Sequence, residues 1–121
     1  MENVHEIREK LRAYAKARDW DQFHSPKNLS MALAVEAAEL MEHFQWLTEQ
    51  QSWQVEGEKR QQVIDEIADV QVYLLMLSDK LGVDIEDAVV QKIAKNEIKY
   101  PAAQVRGSAK KYNEYKDLDQ G

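Results

Sequence analysis

Two pairs of carboxylates, each spaced three residues apart, stand inside the two most apolar stretches of the chain. Glu36 and Glu39 form one pair, and Glu66 and Asp69 form the other. Positions i and i+3 share one face of an α-helix, with Cβ atoms about 5–6 Å apart. Each pair is therefore predicted to project from one face of an apolar helix.

Such carboxylates are costly to bury unless they are protonated, paired with cations or bound to metal. Neither apolar stretch offers a Lys or Arg on the acidic face. Oxygen ligands suit Mg²⁺ or Mn²⁺ better than zinc. Among 22 acidic residues, however, such spacings also arise by chance on solvated helix faces. The occurrence of both pairs in apolar stretches favours a metal site, whose predicted ligands are Glu36, Glu39, Glu66 and Asp69.

The elements that must position these residues are helical, because apolar residues recur at helical spacing and no segment alternates convincingly as a strand. We expect Asn28 to cap the second helix, Gly82 to end the third, Asp84 to cap the fourth and Pro101 to stop it. The predicted fold is all-α, a four-helix bundle. The predicted helices span about residues 3–18, 28–47, 58–81 and 85–100.

The second and third helices are apolar on more faces than a lone chain of this size can cover. We expect the second helix to be largely buried, and oligomerisation to supply the missing cover, as a homodimer or homotetramer. Residues 48–56 are interpreted as a polar linker. Residues from 102 onward are interpreted as a polar tail.

The composition bounds the class of protein. A chain of 121 residues with 44% hydrophobic residues predicts one globular domain. The absence of Cys excludes disulfides, a thiolate nucleophile and zinc–thiolate sites. The first residues do not resemble a signal peptide and no apolar run reaches about 18 residues, so a cytoplasmic protein is expected. A net charge of -6 argues against binding to nucleic acid.

Three further segments accompany the acidic pairs: Arg18-Asp19-Trp20-Asp21-Gln22-Phe23-His24-x-Pro26-Lys27-Asn28-Leu29, Phe44-Gln45-Trp46, and Lys92-x-x-x-Asn96-x-x-x-Tyr100-Pro101. Together with the acidic pairs, these segments resemble the MazG-like nucleoside triphosphate pyrophosphohydrolases, in their dCTP pyrophosphatase branch. The resemblance covers roughly residues 7–112. It implies a MazG-like domain over residues 1–112, followed by a tail over 113–121.

The resemblance implies metal-dependent cleavage of a nucleoside triphosphate between its α and β phosphates, giving a monophosphate and pyrophosphate. The expected substrate is dCTP, and the expected role is housekeeping of the nucleotide pool. In that family four acidic positions hold Mg²⁺, and these positions correspond here to the two acidic pairs. Either Glu36 or Glu39 is expected to act as general base.

Further residues are implied to bind substrate. Trp20 and Trp46 match tryptophans that line the base pocket, although Trp is more commonly a core or subunit contact. His24 and Tyr73 are candidates for ligand contact, with packing as the alternative for each. Positions on the fourth helix and in the basic tail are expected to face phosphate, with a solvated surface as the alternative; they are Lys92, Asn96, Arg106, Lys110 and Lys111.

Two positions depart from related patterns. The dCTP-selective animal enzymes carry His near the position of Leu11, which argues against strict cytosine selectivity. The dimeric dUTPases tend to carry Glu where this chain has Val35, which argues against that branch. A function of another class stays open at this point, namely a noncatalytic oligomeric bundle that binds nucleotide or metal as a sensor.

Overall fold

Every regular element in the described part of the chain is helical. The computed structural model describes residues 1–107. The all-α fold predicted from the sequence is confirmed, and the four long helices correspond to the four predicted ones. The elements in chain order are α1 (Val4–Ala17), a 3-10 turn (Asp21–Phe23), α2 (Pro26–Glu42), α3 (Glu49–Ser52), α4 (Gly57–Lys80), α5 (Ile85–Lys99) and α6 (Ala102–Val105).

The chain divides into two compact units, Met1–Val83 and a second that begins at Asp84. Within the first unit, α4 packs extensively against α2 and also against α1. The buried apolar side chains of this unit are Ala15, Leu29, Val63 and Leu75. Leu29 is 1% exposed, and a side chain of this size contributes about 1.5–3 kcal/mol when fully buried. This packing fixes α2 and α4, the helices that carry the acidic pairs.

The N-terminus of α2 differs from the prediction. Ser25, not Asn28, is the N-cap: its hydroxyl accepts a hydrogen bond from the Asn28 backbone N–H at 3.1 Å, and Pro26 occupies the first helical position. Asn28 instead donates its side-chain amide to the carbonyl of Phe23 at 2.9 Å. The amide of Asn28 thereby ties the start of α2 to the 3-10 turn.

The C-terminus of α2 also differs, because the helix ends at Glu42 rather than near Leu47. Several backbone bonds beyond it connect residues three apart, as from Leu47 to Phe44 at 2.9 Å, so the chain continues as turns. The predicted linker contains a helix, α3. Thr48 and Gln51 form a reciprocal capping box at its N-terminus.

Predictions for the end of α4 and the start of α5 are confirmed. Gly82 adopts a φ of +66°, and the Val83 N–H donates to the Ser78 carbonyl at 2.8 Å, as in a Schellman motif. The Asp84 side chain caps α5 by accepting from the Asp87 N–H at 3.1 Å.

The C-terminal prediction needs correction in one respect. Residues after Pro101 are not wholly a tail, because Ala102–Val105 form α6. Residues 108–121 lie outside the described part of the chain. The division into a domain over 1–112 and a tail over 113–121 therefore stays a prediction.

The expectation that α2 is largely buried is wrong for a single chain. Leu29 is its one fully buried residue, whereas Met31, Val35 and Met41 are each more than half exposed. One neighbouring helix, α4, covers only part of its apolar circumference. Among the described residues, no helix is both long and apolar enough to span a lipid bilayer.

Candidate functional site

Three of the four predicted carboxylates converge between α2 and α4. Glu36 and Glu39 come from α2 and Glu66 from α4, and each offers an oxygen so that the three oxygens lie within 4.8 Å of one another. All three residues are half-buried. The i, i+3 spacing brings the α2 pair to one face, and the packing of α2 on α4 brings Glu66 to the same place. We call these three residues the carboxylate cluster.

The cluster carries two buried oxygens without partners. Glu36 Oε2 and Glu66 Oε2 are both inaccessible to solvent, and neither accepts a hydrogen bond from the described residues. A buried acceptor left in this way destabilises the fold by about 1–3 kcal/mol, more when it is charged. A proton or a cation bound at these two oxygens would remove that cost.

The protonation of Glu36 reflects this environment. Burial, followed by interactions with Glu66, Glu39 and Asp69, raises the pKa of Glu36 from its ordinary value of 4.5 to about 7. Without a cation, the cluster therefore retains a proton below about pH 7 and loses it above.

The donor set fits a hard divalent cation. Carboxylate oxygens are the ligands that Mg²⁺ and Mn²⁺ prefer. Oxygens bound to one Mg²⁺ at about 2.1 Å lie at most about 4.2 Å apart, so small side-chain adjustments bring the observed oxygens within reach of one ion. Such an ion would also give the unpartnered atoms of Glu36 and Glu66 a partner.

Asp69, the fourth predicted ligand, lies beside the cluster rather than within it. It is exposed, yet close enough to raise the pKa of Glu36 by charge repulsion. Asp69 also lines a groove of about 350 Å³ between α1 and α4, together with Trp20, His24 and Tyr73. The structure thus brings four sequence-predicted site residues to one groove, which we call the aromatic groove.

One wall of the aromatic groove contains residues that sequence reasoning missed. Tyr14 lines it and meets Trp20 edge to face, with ring centroids 5.8 Å apart. The guanidinium of Arg18 lies 3.5 Å from the Tyr14 ring centroid and 6.0 Å from that of Trp20. In the sequence, Tyr14 indicates only an apolar face of α1, through its helical spacing. The signal that could have identified Tyr14 is its position one helical turn before the Arg18-Asp19-Trp20 segment.

The turn after α1 holds Trp20 in this wall. Asp19 has a φ of +54°, which is uncommon for a residue other than Gly. The Trp20 N–H donates to the Ala15 carbonyl at 2.9 Å, and the Gln22 side chain binds the Asp19 carbonyl and carboxylate at 3.0 Å each. Hydrogen bonds therefore attach the turn to α1 through Trp20 and to the 3-10 turn through Gln22.

The remaining predicted site residues are Trp46, three residues of the second unit and two residues beyond the described part of the chain. Trp46 follows α2, is 86% exposed and does not line the aromatic groove. Lys92 and Asn96 lie one turn apart on α5, and Arg106 follows α6, all in the second unit. Lys110 and Lys111 lie outside the described residues.

The comparisons with known proteins agree with this geometry. A model of the MazG-like family matches residues 31–115, a range that includes both acidic pairs. The chain belongs to the MazG-like family. The resemblance stated from the sequence motifs is thereby confirmed.

Individual MazG-like relatives are similar over most of the chain. A protein of Rattus norvegicus named dCTP pyrophosphatase 1 is 39% identical over 122 residues, covering 98% of this chain and 69% of the relative. Its Homo sapiens counterpart is 39% identical over 115 residues, covering 92% of this chain and 66% of the relative. The crystal structure of a pyrophosphatase from Archaeoglobus fulgidus superposes with a TM-score of 0.78 at 38% identity, covering 84% of this chain and 94% of that one.

Proposed function

We propose that this MazG-like protein is a nucleoside triphosphate pyrophosphohydrolase that cleaves dCTP to dCMP and pyrophosphate and so helps to keep the nucleotide pool in balance. The observation that carries the proposal is the carboxylate cluster, with its two unpartnered oxygens, in a chain whose relatives are named dCTP pyrophosphatase 1. A purely structural bundle has no physical reason to assemble three half-buried carboxylates.

We propose that Glu36, Glu39 and Glu66 hold Mg²⁺, with Mn²⁺ as a substitute, and that Asp69 completes the ligand set. When bound, the cations supply positive charge against the triphosphate and lower the pKa of a coordinated water. Glu36 or Glu39 accepts a proton from the attacking water at a carboxylate oxygen, as general base. Asp69 links the cluster to the aromatic groove, so the phosphates are placed at one end of that groove.

The aromatic groove is proposed to hold the base. Trp20 and Tyr14 offer ring surfaces for stacking, and His24 and Tyr73 offer polar atoms for hydrogen bonds. Leu11 also lines the groove, where the resemblance implies His in dCTP-selective enzymes. An apolar side chain at that position loses one polar contact to cytosine, which favours a broader choice of pyrimidine bases.

The remaining predicted contacts complete the proposal. From the family resemblance, Trp46 is proposed to contact the base. The proposed phosphate contacts, on the same basis, are Lys92, Asn96, Arg106, Lys110 and Lys111. A homodimer or homotetramer is the proposed assembly. Its support is the exposed apolar surface of α2 and α4.

The deciding experiment measures pyrophosphate release from a panel of canonical and modified nucleoside triphosphates, with Mg²⁺ or with EDTA, and identifies the nucleotide product. We expect monophosphate and pyrophosphate only when the metal is present, with dCTP among the best substrates. Orthophosphate as the product would place the cleavage at another bond. No turnover of any nucleotide would contradict the proposal and favour the noncatalytic binding bundle.

Variants connect that activity to the cluster. Glu39→Ala and Asp69→Ala are expected to reduce kcat/KM by at least about 100-fold, since each removes a proposed metal ligand. Their melting temperatures without metal should stay unchanged or rise, because like charges are removed. Glu42→Ala on α2 and Asp65→Ala on α4 are matched controls at exposed positions. Severe unfolding of both cluster variants would instead indicate a structural network.

A further inference from the structure

A second cavity, of about 430 Å³, adjoins the aromatic groove and differs from it in charge. Arg8, Arg12 and Lys16 line it from α1, where a spacing of four residues places them on one face. Lys80 contributes a fourth cation from the end of α4. The two cavities share wall residues, including Leu11 and His24. We call this second cavity the cationic cavity.

Two of the cations in the cationic cavity are neutralised. Arg12 binds Asp79 with two parallel hydrogen bonds, of which the Nε–Oδ2 bond measures 2.8 Å, and Lys80 pairs with Asp21. Hydrogen bonding to Arg12 holds the pKa of Asp79 below its ordinary range. These two pairs suffice to connect α4 with α1 and with the 3-10 turn.

The other two cations lack a hydrogen-bonded carboxylate among the described residues. Arg8 Nε lies 3.9 Å from Asp79 Oδ1, within ion-pair range but beyond hydrogen-bond distance, and it is buried without a hydrogen-bond acceptor among the described residues. Lys16 makes no ion pair in the described part of the chain. The lining of the cationic cavity contains four cations and two carboxylates, Asp21 and Asp79. Glu9 also bonds Arg12 at 2.6 Å, so one positive charge remains in excess, in a chain whose net charge is -6.

We propose that the cationic cavity is an oxyanion-binding site, separate from the carboxylate cluster, in which Arg8 and Lys16 bind a phosphate-class or carboxylate anion. An oxyanion supplies the acceptor that Arg8 Nε lacks and neutralises the excess charge. Arginine is suited to this role because its N–H groups match the geometry of carboxylate and phosphate oxygens.

The oxyanion has two sources that the structure permits. It is either a free anion such as pyrophosphate, or a negatively charged substituent on a base that lies in the aromatic groove. The second source rests on the proposed placement of the base there. Neither source requires turnover, so both are tested by binding alone.

The first arm titrates inorganic pyrophosphate into the protein in EDTA and follows the ³¹P resonance and the heat of binding. Without metal, the carboxylate cluster repels pyrophosphate, so binding there does not interfere. We expect saturable binding that weakens about tenfold in Arg8→Gln and in Lys16→Gln. Lys59→Gln removes the same charge from an exposed position on α4 outside the cavity and should bind as the unmodified chain does.

The second arm compares 5-carboxy-2′-deoxycytidine with 2′-deoxycytidine under the same conditions. These nucleosides carry no phosphate, so any advantage of the carboxylated one reports its carboxylate alone. If the oxyanion belongs to the base, the carboxylated nucleoside binds about tenfold tighter, and Arg8→Gln and Lys16→Gln abolish that difference.

The two arms distinguish the two sources of the oxyanion. Variant-sensitive binding in the first arm supports a site for free anions, and in the second arm a site for substituted bases. Absence of binding in both arms, or binding that neither variant weakens, overturns the proposal. Lys16 is exposed, so Lys16→Gln keeps the test valid if Arg8→Gln fails to fold. A failed turnover assay would affect the proposed function alone.

Discussion

Glu36 lies among other carboxylates, and its surroundings oppose its own negative charge. Burial and repulsion act in the same direction on this residue, and within residues 1–107 Glu36 Oε2 has no hydrogen-bond donor. A bound cation would reverse both effects, because it attracts the charge and coordinates the oxygen. The metal-free chain is therefore expected to be less stable at neutral pH than the metal-bound one.

The stability of the metal-free chain should depend on pH through Glu36. The folded pKa, about 7, exceeds the ordinary 4.5, so between these values the folded state binds a proton that the unfolded state has lost. The free energy of unfolding therefore falls as pH rises from about 4.5 to 7. Thermal denaturation in EDTA from pH 5 to 8 should show this fall, and Glu36→Gln should flatten it.

Two comparisons make that prediction specific. Glu42→Gln removes an exposed carboxylate from the same helix and should leave the pH profile unchanged. Asp79 affects stability over another pH range. Its pKa is lowered in the folded state, so its charged form stabilises the fold above the ordinary pKa of 3.8, and this stabilisation is lost only in more acidic solution. Superimposable profiles for Glu36→Gln and the unmodified chain would contradict the assignment to Glu36.

Arg18 is predicted to position the wall of the aromatic groove. Arg18→Ala should raise KM about threefold, the size of one exposed cation–π contact, and leave kcat nearly unchanged because the phosphates bind elsewhere. Arg18→Lys, which retains the charge, should recover part of the loss. Steady-state kinetics with dCTP separate the two parameters.

Fluorescence tests the same role without turnover. In a Trp46→Phe, Trp53→Phe background, Trp20 is the one tryptophan left. Acrylamide should quench Trp20 more efficiently in Arg18→Ala, because the ring is less restrained. Unchanged quenching together with an unchanged KM would refute the positioning role.

At the scale of secondary-structure elements, the site depends on how α2 begins. Ser25 caps α2, Pro26 presets its first turn, and Asn28 connects it to the 3-10 turn. The same segment therefore places Glu36 and Glu39 on one side and Trp20 and His24 on the other. A change in the cap should act on stability rather than on chemistry, because Glu36 lies three turns away.

Ser25→Ala is expected to reduce the free energy of unfolding by about 1 kcal/mol, which lowers Tm by about 3–6 °C in a domain of this size. Urea and thermal denaturation give both quantities. Ser30→Ala is a matched control, because its hydroxyl bonds only the Lys27 carbonyl within the same helix. Equal losses in the two variants would show that capping is not the cause.

At the scale of the whole molecule, the described chain leaves many large apolar side chains in solvent. On α2 and α4 these include Met31, Val35, Ile64 and Ile67, each more than two-fifths exposed. Extensive exposure of large apolar side chains on helices favours an interface between proteins. Association of identical chains through these faces would bury them.

We therefore predict a mass in solution of two or four times the 14.1 kDa of the chain, measured by light scattering after size exclusion. Met31→Glu should shift the equilibrium toward the monomer, because it places a charge in the apolar face. Ser30→Glu, at the neighbouring exposed polar position, should not. A monomeric parent chain at high protein concentration would contradict the prediction.

Local chemistry accounts for what could be predicted from the sequence. Helical periodicity and the caps at Gly82 and Asp84 depend on neighbours within a few residues. They could therefore be predicted from the sequence, and the structure confirms them. The predicted N-cap of α2, Asn28, is wrong because Ser25 and Asn28 are both residue types that favour an N-cap. Ser25 takes that role because the Asn28 side chain donates a hydrogen bond to the Phe23 carbonyl instead. The end of α2 was misplaced because apolar residues continue beyond the last helical turn.

The sequence by itself determined that this protein is all-α, belongs among the MazG-like proteins and carries two acidic pairs on apolar helices, because each of these features is written within a few helical turns. Only the tertiary structure decided that Glu66 joins Glu36 and Glu39 while Asp69 faces the aromatic groove. It also decided that Arg12 meets Asp79, 67 residues away, and that Arg8 Nε lacks a hydrogen-bond acceptor among the described residues. Contacts of that range depend on how helices pack, which no local pattern specifies.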